Sequence, residues 1–271
     1  VALGRAQPAP RAAVVCVSCD LFAGDQGQRA EQAAQLLRAR LADAAREFGI
    51  ALPTYVLFTK ADRLPHFEAW AAPLTPGEVR EPFGAALPFD ADVGTAVGAG
   101  SYAERLTPRL ERAFAELSAS LAARRPSFLA RESVEERRLA AYELPRELGK
   151  LAPAATKFLV ELCRPSQLGA SPRLRGFYFT GARPVVVSEG GAAAAAAARL
   201  AALAGSGATS AFVRPNAGMP PAGVGGYAPP ATRKVPQWVF LERFFADVVL
   251  GDQGAAAAAR GGALVGRARR L

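Results

Sequence analysis

Apolar and polar positions follow different rhythms along this chain, and each rhythm predicts a different kind of element. Ala12 to Val17 is a continuous apolar run, the pattern of a strand buried on both faces, and Ser18 to Asp20 closes it. Gln28 to Phe48 has a helical rhythm. Ala33, Leu36, Leu37, Leu41 and Ala44 mark one face, Arg29, Glu31, Arg38, Asp43 and Glu47 the other, and Gly49 stands at the expected stop. Thr54 to Phe58 is a short β-branched and aromatic run. Strand, helix and strand with short connections form a βαβ unit, which predicts parallel strands and a right-handed crossover.

The pattern then becomes helical. Thr75-x-x-Glu78, Ser101-x-x-Glu104 and Ser133-x-x-Glu136 read as capping boxes, and the Pro/Gly-rich stretch Glu81 to Gly100 reads mostly as loop. Leu106, Leu110, Phe114, Leu117 and Leu121 predict a helix from Ser101 to about Arg124. Ser133 opens another, to about Glu143. Pro145 suits the first turn of a third, carrying Leu148, Leu151, Phe158, Leu159 and Leu162. Strand character returns at Leu174 to Gly181.

Gly190 to Ala204 reads as helix on alanine propensity alone, and Gly205 to Thr232 as a flexible linker. Gln237–Leu250 reads as an amphipathic helix with Trp238, Leu241, Phe245, Val248 and Val249 on its apolar side. The expected organisation is a βαβ half-domain at 1–90, a helical part at 91–165, and a returning strand and helix at 166–204. A linker at 205–235 and an amphipathic helix with a basic tail at 236–271 complete it.

Charge narrows the partners. A formal net charge of +9 and a pI near 10.1 favour acidic ones: nucleic acid, anionic lipid or an acidic protein surface. Arginine is spread along the chain, and only Arg260, Arg267, Arg269 and Arg270 are concentrated. Aromatics are not interleaved with the basic residues as single-strand readers require, which argues against nucleic acid. No apolar run reaches the ~18 residues of a membrane span. No signal peptide is present, and a start at Val1 rather than Met predicts a piece of a longer protein.

Cys16, Cys19 and Cys163 form no even framework. Cys16-x-x-Cys19 lacks a second pair or nearby histidines, so core thiols are expected rather than zinc ligands. The only histidine, His66, leaves no Ser-His-Asp arrangement. No catalytic or metal-binding residue is assigned.

Thr59-Lys60-Ala61-Asp62 carries the chemistry. It fits [N/T]-K-x-D, in which the fourth-position carboxylate accepts from the guanine N1–H and N2–H₂ edge. The lysine stem lies along the ring system, and the first residue pins the loop. Its place after a strand is where open α/β sheets bind ligands. Lysine is scarce here, 4 against 29 arginines, yet one falls on the motif. The same residues also read as a solvated strand-to-loop turn. The phosphate cradle G-x-x-x-x-G-K-[S/T] is missing: Gly149-Lys150 is followed by Leu151, and Leu144 stands at the first glycine position. In a P-loop domain that cradle would precede Val1.

Several segments in order resemble the cytoplasmic region of the IcmF/TssM family of type VI secretion systems. Leu52 to Phe67 is close to L-P-x-Y-x-x-F-T-K-x-D-x-x-x-G-F. Leu174-Arg175-Gly176-Phe177-Tyr178-Phe179-Thr180-Gly181 is similar to L-R-G-x-Y-F-T-S-G, and Phe240 to Val249 resembles a pre-membrane F-L-x-x-L-x-x-V-I-F. His66 replaces the usual glycine, and Ala182 follows Gly181 where the family has a Ser-Gly pair.

The resemblance implies an α/β fold: a partial P-loop GTPase-like parallel sheet with a helical insertion and a C-terminal amphipathic helix. It implies a scaffold linking an inner-membrane complex to the baseplate, at the cytoplasmic face of the bacterial inner membrane. Implied partners are a TssL/DotU-like inner-membrane protein, baseplate proteins, and a TssJ lipoprotein contacted by a periplasmic portion outside this sequence. The tail arginines would flank a membrane helix and meet an anionic membrane surface. The alternative is a guanine-nucleotide switch with an upstream P-loop. Thr59, Lys60, Asp62, Thr180 and Gly181 would then bind guanine, with GTP and Mg²⁺ as cofactors of the longer protein and none held by this stretch alone.

Overall fold

Thr54 to Phe58 are buried at every position because their strand is central in a sheet covered on both faces. The computed structural model of the chain describes residues 12–22, 24, 27–48, 52–88, 99–165, 172–188 and 232–252. They divide into two units, Val1–Arg183 with Trp238–Leu271, and Pro184–Gln237. In the first, β2 (Pro53–Thr59) lies between β1 (Ala13–Ser18) and β4 (Arg173–Phe179), parallel to both, as the βαβ pattern predicts. β3 (Phe83–Ala86) pairs antiparallel with β4 and makes the order β1-β2-β4-β3. The sequence reads β3 as loop because Phe-Gly-Ala-Ala has no β-branched residue. What holds it is Phe83 opposite Phe179, with ring centroids 5.7 Å apart.

One sheet face is covered by helices. Val15, Val17, Val56, Phe58, Phe177 and Phe179 form a core with α1 (Gly27–Phe48), α4 (Ala99–Arg131) and α5 (Glu135–Leu162). Phe114 of α4 stacks on Phe177 at 4.1 Å, and Phe22 meets Phe58 and Phe158 edge-on at 5.4 and 5.5 Å. Where Pro145 predicts a new helix, α5 runs through it, just as α4 runs through Pro108 and Pro126. An interior proline costs about 3 kcal/mol. Burying Leu144, Leu148, Leu151, Leu159 and Leu162 along α5 offsets it at about 1.5–3 kcal/mol per side chain.

Capping differs from expectation in two places. Thr75 and Glu78 form both halves of a capping box on α3 (Pro76–Arg80), which follows α2 (Phe67–Ala71). At α5, Val134 is the cap and its N–H donates to Glu132 at 2.8 Å, so Ser133 closes no box. α4 begins at Ala99, which leaves Ser101 inside the helix.

The opposite face holds a smaller cluster of Tyr55, Leu57, Tyr178 and Phe244, with Leu241, Val248 and Val249 against it. The amphipathic helix predicted from Gln237 is not formed as such. β6 (Thr232–Val239) occupies its start, and Phe244–Val249 is a π-helix. The wider turn changes the buried face: Phe244 is fully buried, while Phe245 and Trp238 are 45% and 65% exposed.

Two glycines make room for Tyr178 on this face. Gly84 pairs opposite Tyr178, and a Cβ on Gly176 would lie 2.7 Å from the Ala85 carbonyl oxygen and 2.9 Å from Tyr178 Cε2. Those two sites explain why the Leu174–Gly181 motif carries a glycine mid-strand.

β5 (Gly181–Ser188) and β6 form a two-stranded sheet, and residues 184–188 and 232–237 of these strands are the described residues of the second unit. The helix expected at Gly190–Ala204, nearly all of the expected linker, and Arg260, Arg267, Arg269 and Arg270 lie outside the described residues.

Gly176→Ala is expected to cost about 1–3 kcal/mol in urea unfolding, through overpacking. Gly149→Ala, whose added methyl would meet nothing within 4 Å, is expected to stabilise by about 0.5–1 kcal/mol. Equal effects of the two changes would contradict the close approach at Gly176.

Candidate functional site

The two family-like motifs end side by side because β2 and β4 are parallel neighbours. Their loops therefore leave the sheet at the same rim. The ladder continues past the strands: the Thr180 N–H donates to the Phe58 carbonyl at 2.9 Å, and the Ala61 N–H to the Thr180 carbonyl at 3.0 Å. The Thr59 hydroxyl donates to the Val17 carbonyl of β1 at 3.3 Å, joining the ends of the two strands.

Asp62 sits where the two loops meet. Its Oδ1 accepts the Ala182 N–H at 3.0 Å. A Cβ on Gly181 would lie 2.9 Å from the Asp62 backbone nitrogen and 3.0 Å from Oδ1, so only glycine lets the loops close to this distance. Thr180 is buried, its hydroxyl donating to the Val239 carbonyl at 2.8 Å. Lys60 takes a left-handed conformation at φ 56, and its ammonium lies 3.4 Å from the Asp20 carboxylate. The Ser18 hydroxyl first, and Lys60 after it, hold the Asp20 carboxyl below the usual range.

Guanine recognition by this motif draws on both oxygens of the carboxylate and on a lysine lying along the base. Here one Asp62 oxygen already holds the partner loop, and Lys60 reaches toward Asp20. A groove of about 360 Å³ opens beside the rim, lined by Asp20, Arg63 and Leu64 and by Glu147, Lys150 and Leu151 of α5. Neither Lys60 nor Asp62 lines it, and Lys150 is paired with Glu147 at 2.6 Å. The residues present fit an interloop tie more closely than a base reader.

Three details around the rim lie beyond sequence reasoning. Buried Arg183 donates to the carbonyls of Ala71 at 2.9 Å and Leu74 at 2.6 Å, at and just past the end of α2; its burial lowers its pKa. His66 sits at φ 65, just before α2. That left-handed geometry accounts for the glycine in the motif it resembles. Cys19 is a core thiol as expected, pushed up to about 12 by burial and by Asp20 and Asp62, but Cys16 is exposed. Among the described residues no group of His, Cys, Asp and Glu could hold a metal ion.

A second constellation lies on the opposite face. The β2–β4 register shifts between Thr54 and Tyr55, so that Thr54 pairs with Leu174 and Tyr55 with Gly176. The extra residue, Arg175, reaches Asp252: its Nε and Nη2 each lie 2.7 Å from Oδ2, and the Tyr55 hydroxyl donates to the same oxygen at 2.7 Å. Burial, and then Asp252, raise the Tyr55 pKa. Tyr55 and Arg175 thus come from different motifs and fasten the segment after the π-helix. Asp252 carries no sequence signal, since its partners lie 197 and 77 residues away.

Asp62→Ala is expected to lower stability by about 1.5–3 kcal/mol, the scale of a hydrogen bond to a charged group. Asp62→Asn keeps the acceptor for Ala182 and should lose less than half of that in chemical denaturation. Equal losses would mean that the bond to Ala182 contributes nothing.

The description "IcmF-related N-terminal domain" matches residues 5–268. The type VI secretion system component TssM1 of Pseudomonas aeruginosa is 29% identical over 176 residues, which is 65% of this chain and 15% of that protein. The chain therefore spans a small part of that relative's length. No solved structure matches, and among the described residues no helix is long and apolar enough to cross a membrane. With both motifs in register and the match running nearly end to end, the chain belongs to the IcmF-related family.

Proposed function

We propose that this region is a structural and interaction module of a type VI secretion membrane complex. The observation that carries this reading is that the motif side chains are spent on internal ties. Asp62 joins two rim loops, Thr59 and Thr180 hold backbone carbonyls, and Arg175 with Tyr55 fastens the C-terminal segment. A sheet clamped in this way suits transmitting position and force between parts of a larger assembly. The similarity to TssM1 supports the type VI setting.

On this reading the partners are a TssL/DotU-like inner-membrane protein and baseplate proteins, met at the cytoplasmic face of the inner membrane. Arg260, Arg267, Arg269 and Arg270 would meet anionic lipid at about 1 kcal/mol per residue near the surface. No catalytic role is assigned to the region.

A guanine-nucleotide switch is the second reading. It is favoured by T-K-x-D at the carboxyl rim of a parallel sheet, and by the outer edge of β1, which has no strand partner among the described residues. Strands bearing a phosphate cradle could join there, with GTP and Mg²⁺ held mainly by residues upstream of Val1.

Titration of an N-methylanthraniloyl-GTP probe with Mg²⁺ separates the readings, using this region and the longer natural protein. The module reading predicts no saturable signal from either. Saturable Mg²⁺-dependent binding that is lost in Asp62→Asn, a change that keeps the Ala182 acceptor, would establish the switch instead.

A further inference from the structure

A second groove, of about 220 Å³, lies between the C-terminal half of α4 and the segment running from α2 through β3. Its floor is aromatic: the rings of Trp70, Phe83 and Phe240 have centroids 5.1–5.9 Å apart. Phe240 is held in place at a backbone cost, since it takes φ 66 while its N–H donates to the Val79 carbonyl at 2.6 Å. Trp70 remains part-exposed.

The charges around this floor are not balanced in availability. Glu78 accepts two contacts from Arg131 at 2.8 Å and closes the Thr75 capping box, and Glu81 is paired with Arg243. Both carboxylates that line the groove are therefore occupied. Arg125 stacks over Tyr142 at 4.3 Å and donates to the Ala141 carbonyl at 3.3 Å, and exposed Arg124 makes no ion pair among the described residues. Arg124 thus lines the groove beside its apolar floor with no carboxylate on it among the described residues, while Arg125 is engaged with Tyr142 and Ala141.

We propose that this groove binds an acidic segment of a partner protein. One aromatic or aliphatic side chain would sit on the Trp70–Phe83–Phe240 floor, and a carboxylate one or two positions away would pair with Arg124. A protein segment suits the shape because Phe83 and Gly84 of the groove belong to β3, whose outer edge has no strand partner among the described residues. An extended chain can lie along such an edge. Residues 190–231 and 253–271 contain no Asp or Glu, so neither stretch carries the required chemistry, whereas residues 89–98, also outside the described ones, hold Phe89, Asp90 and Asp92 and make a second copy of the chain the competing occupant. The site is independent of whether the rim reads a nucleotide.

The test selects a random dodecapeptide phage library on the intact chain. Affinities of enriched peptides are then measured through Trp70 fluorescence in a Trp238→Phe background. Enriched peptides are expected to place an aromatic or aliphatic residue within two positions of Asp or Glu. Arg124→Glu should weaken them about tenfold or more, replacing the peptide acid by Lys should restore binding to that variant, and Ser120→Phe should block the groove. Circular-dichroism melts confirm that the variants fold.

The proposal is overturned if nothing is enriched, if the enriched peptides lack acids, or if neither variant changes affinity. It is also overturned if sedimentation shows a dimer that Arg124→Glu or Asp90→Asn/Asp92→Asn disrupts, because a second copy would then be the occupant.

Discussion

A single hydrogen bond, from the Ala182 N–H to the Asp62 carboxylate, decides how the two central strands end. Parallel neighbours leave a sheet at one rim, where their next amides and carbonyls need partners. The backbone ladder supplies the first two, through Thr180 and Ala61, and then runs out. Asp62 provides the next acceptor, and Gly181 provides the clearance that lets it reach. The left-handed turns at Lys60 and His66, and buried Arg183 on the end of α2, shape the loops around that contact.

The same two motifs serve the other face of the sheet. Because side chains alternate along β2 and β4, Phe58, Phe177 and Phe179 enter the helical core while Tyr55 and Tyr178 point away from it. The register shift at Arg175 adds a guanidinium that Asp252 takes up. The π-turn then lays Phe244, rather than Phe245, on Tyr178 at a centroid distance of 5.1 Å. Displacing residues 241–252 would expose this small apolar cluster and leave Arg175 and Tyr55 without Asp252. The C-terminal segment is thereby coupled to the rim through strands that carry both motifs.

Much of this was readable in the residues. The apolar runs at Ala12–Val17 and Thr54–Phe58 and the helical stripe between them gave a parallel pair in the correct order. Leu174 to Gly181 was recognisable as a returning strand. The failures share a cause, which is that tertiary burial outweighed local rules. Leucine burial carried α5 through Pro145, and Phe83 made a strand of a stretch with weak propensity. A 3.6-residue period, assumed for Gln237–Leu250, placed the wrong phenylalanine inside. At the rim, T-K-x-D was legible as a motif, but its tie to Ala182 depends on a residue 120 positions away. No local pattern could supply Asp252 or Arg183.

The most direct measurement is native-state hydrogen exchange at the Ala182 and Ala61 amides, followed residue by residue. If Asp62 and the extended ladder lock the two loops, both amides should exchange only through large-scale opening, with protection close to that of Phe58 and Phe179 in the strands. Exchange of Ala182 at the rate of an unprotected loop amide, while the strands stay protected, would contradict the interloop tie.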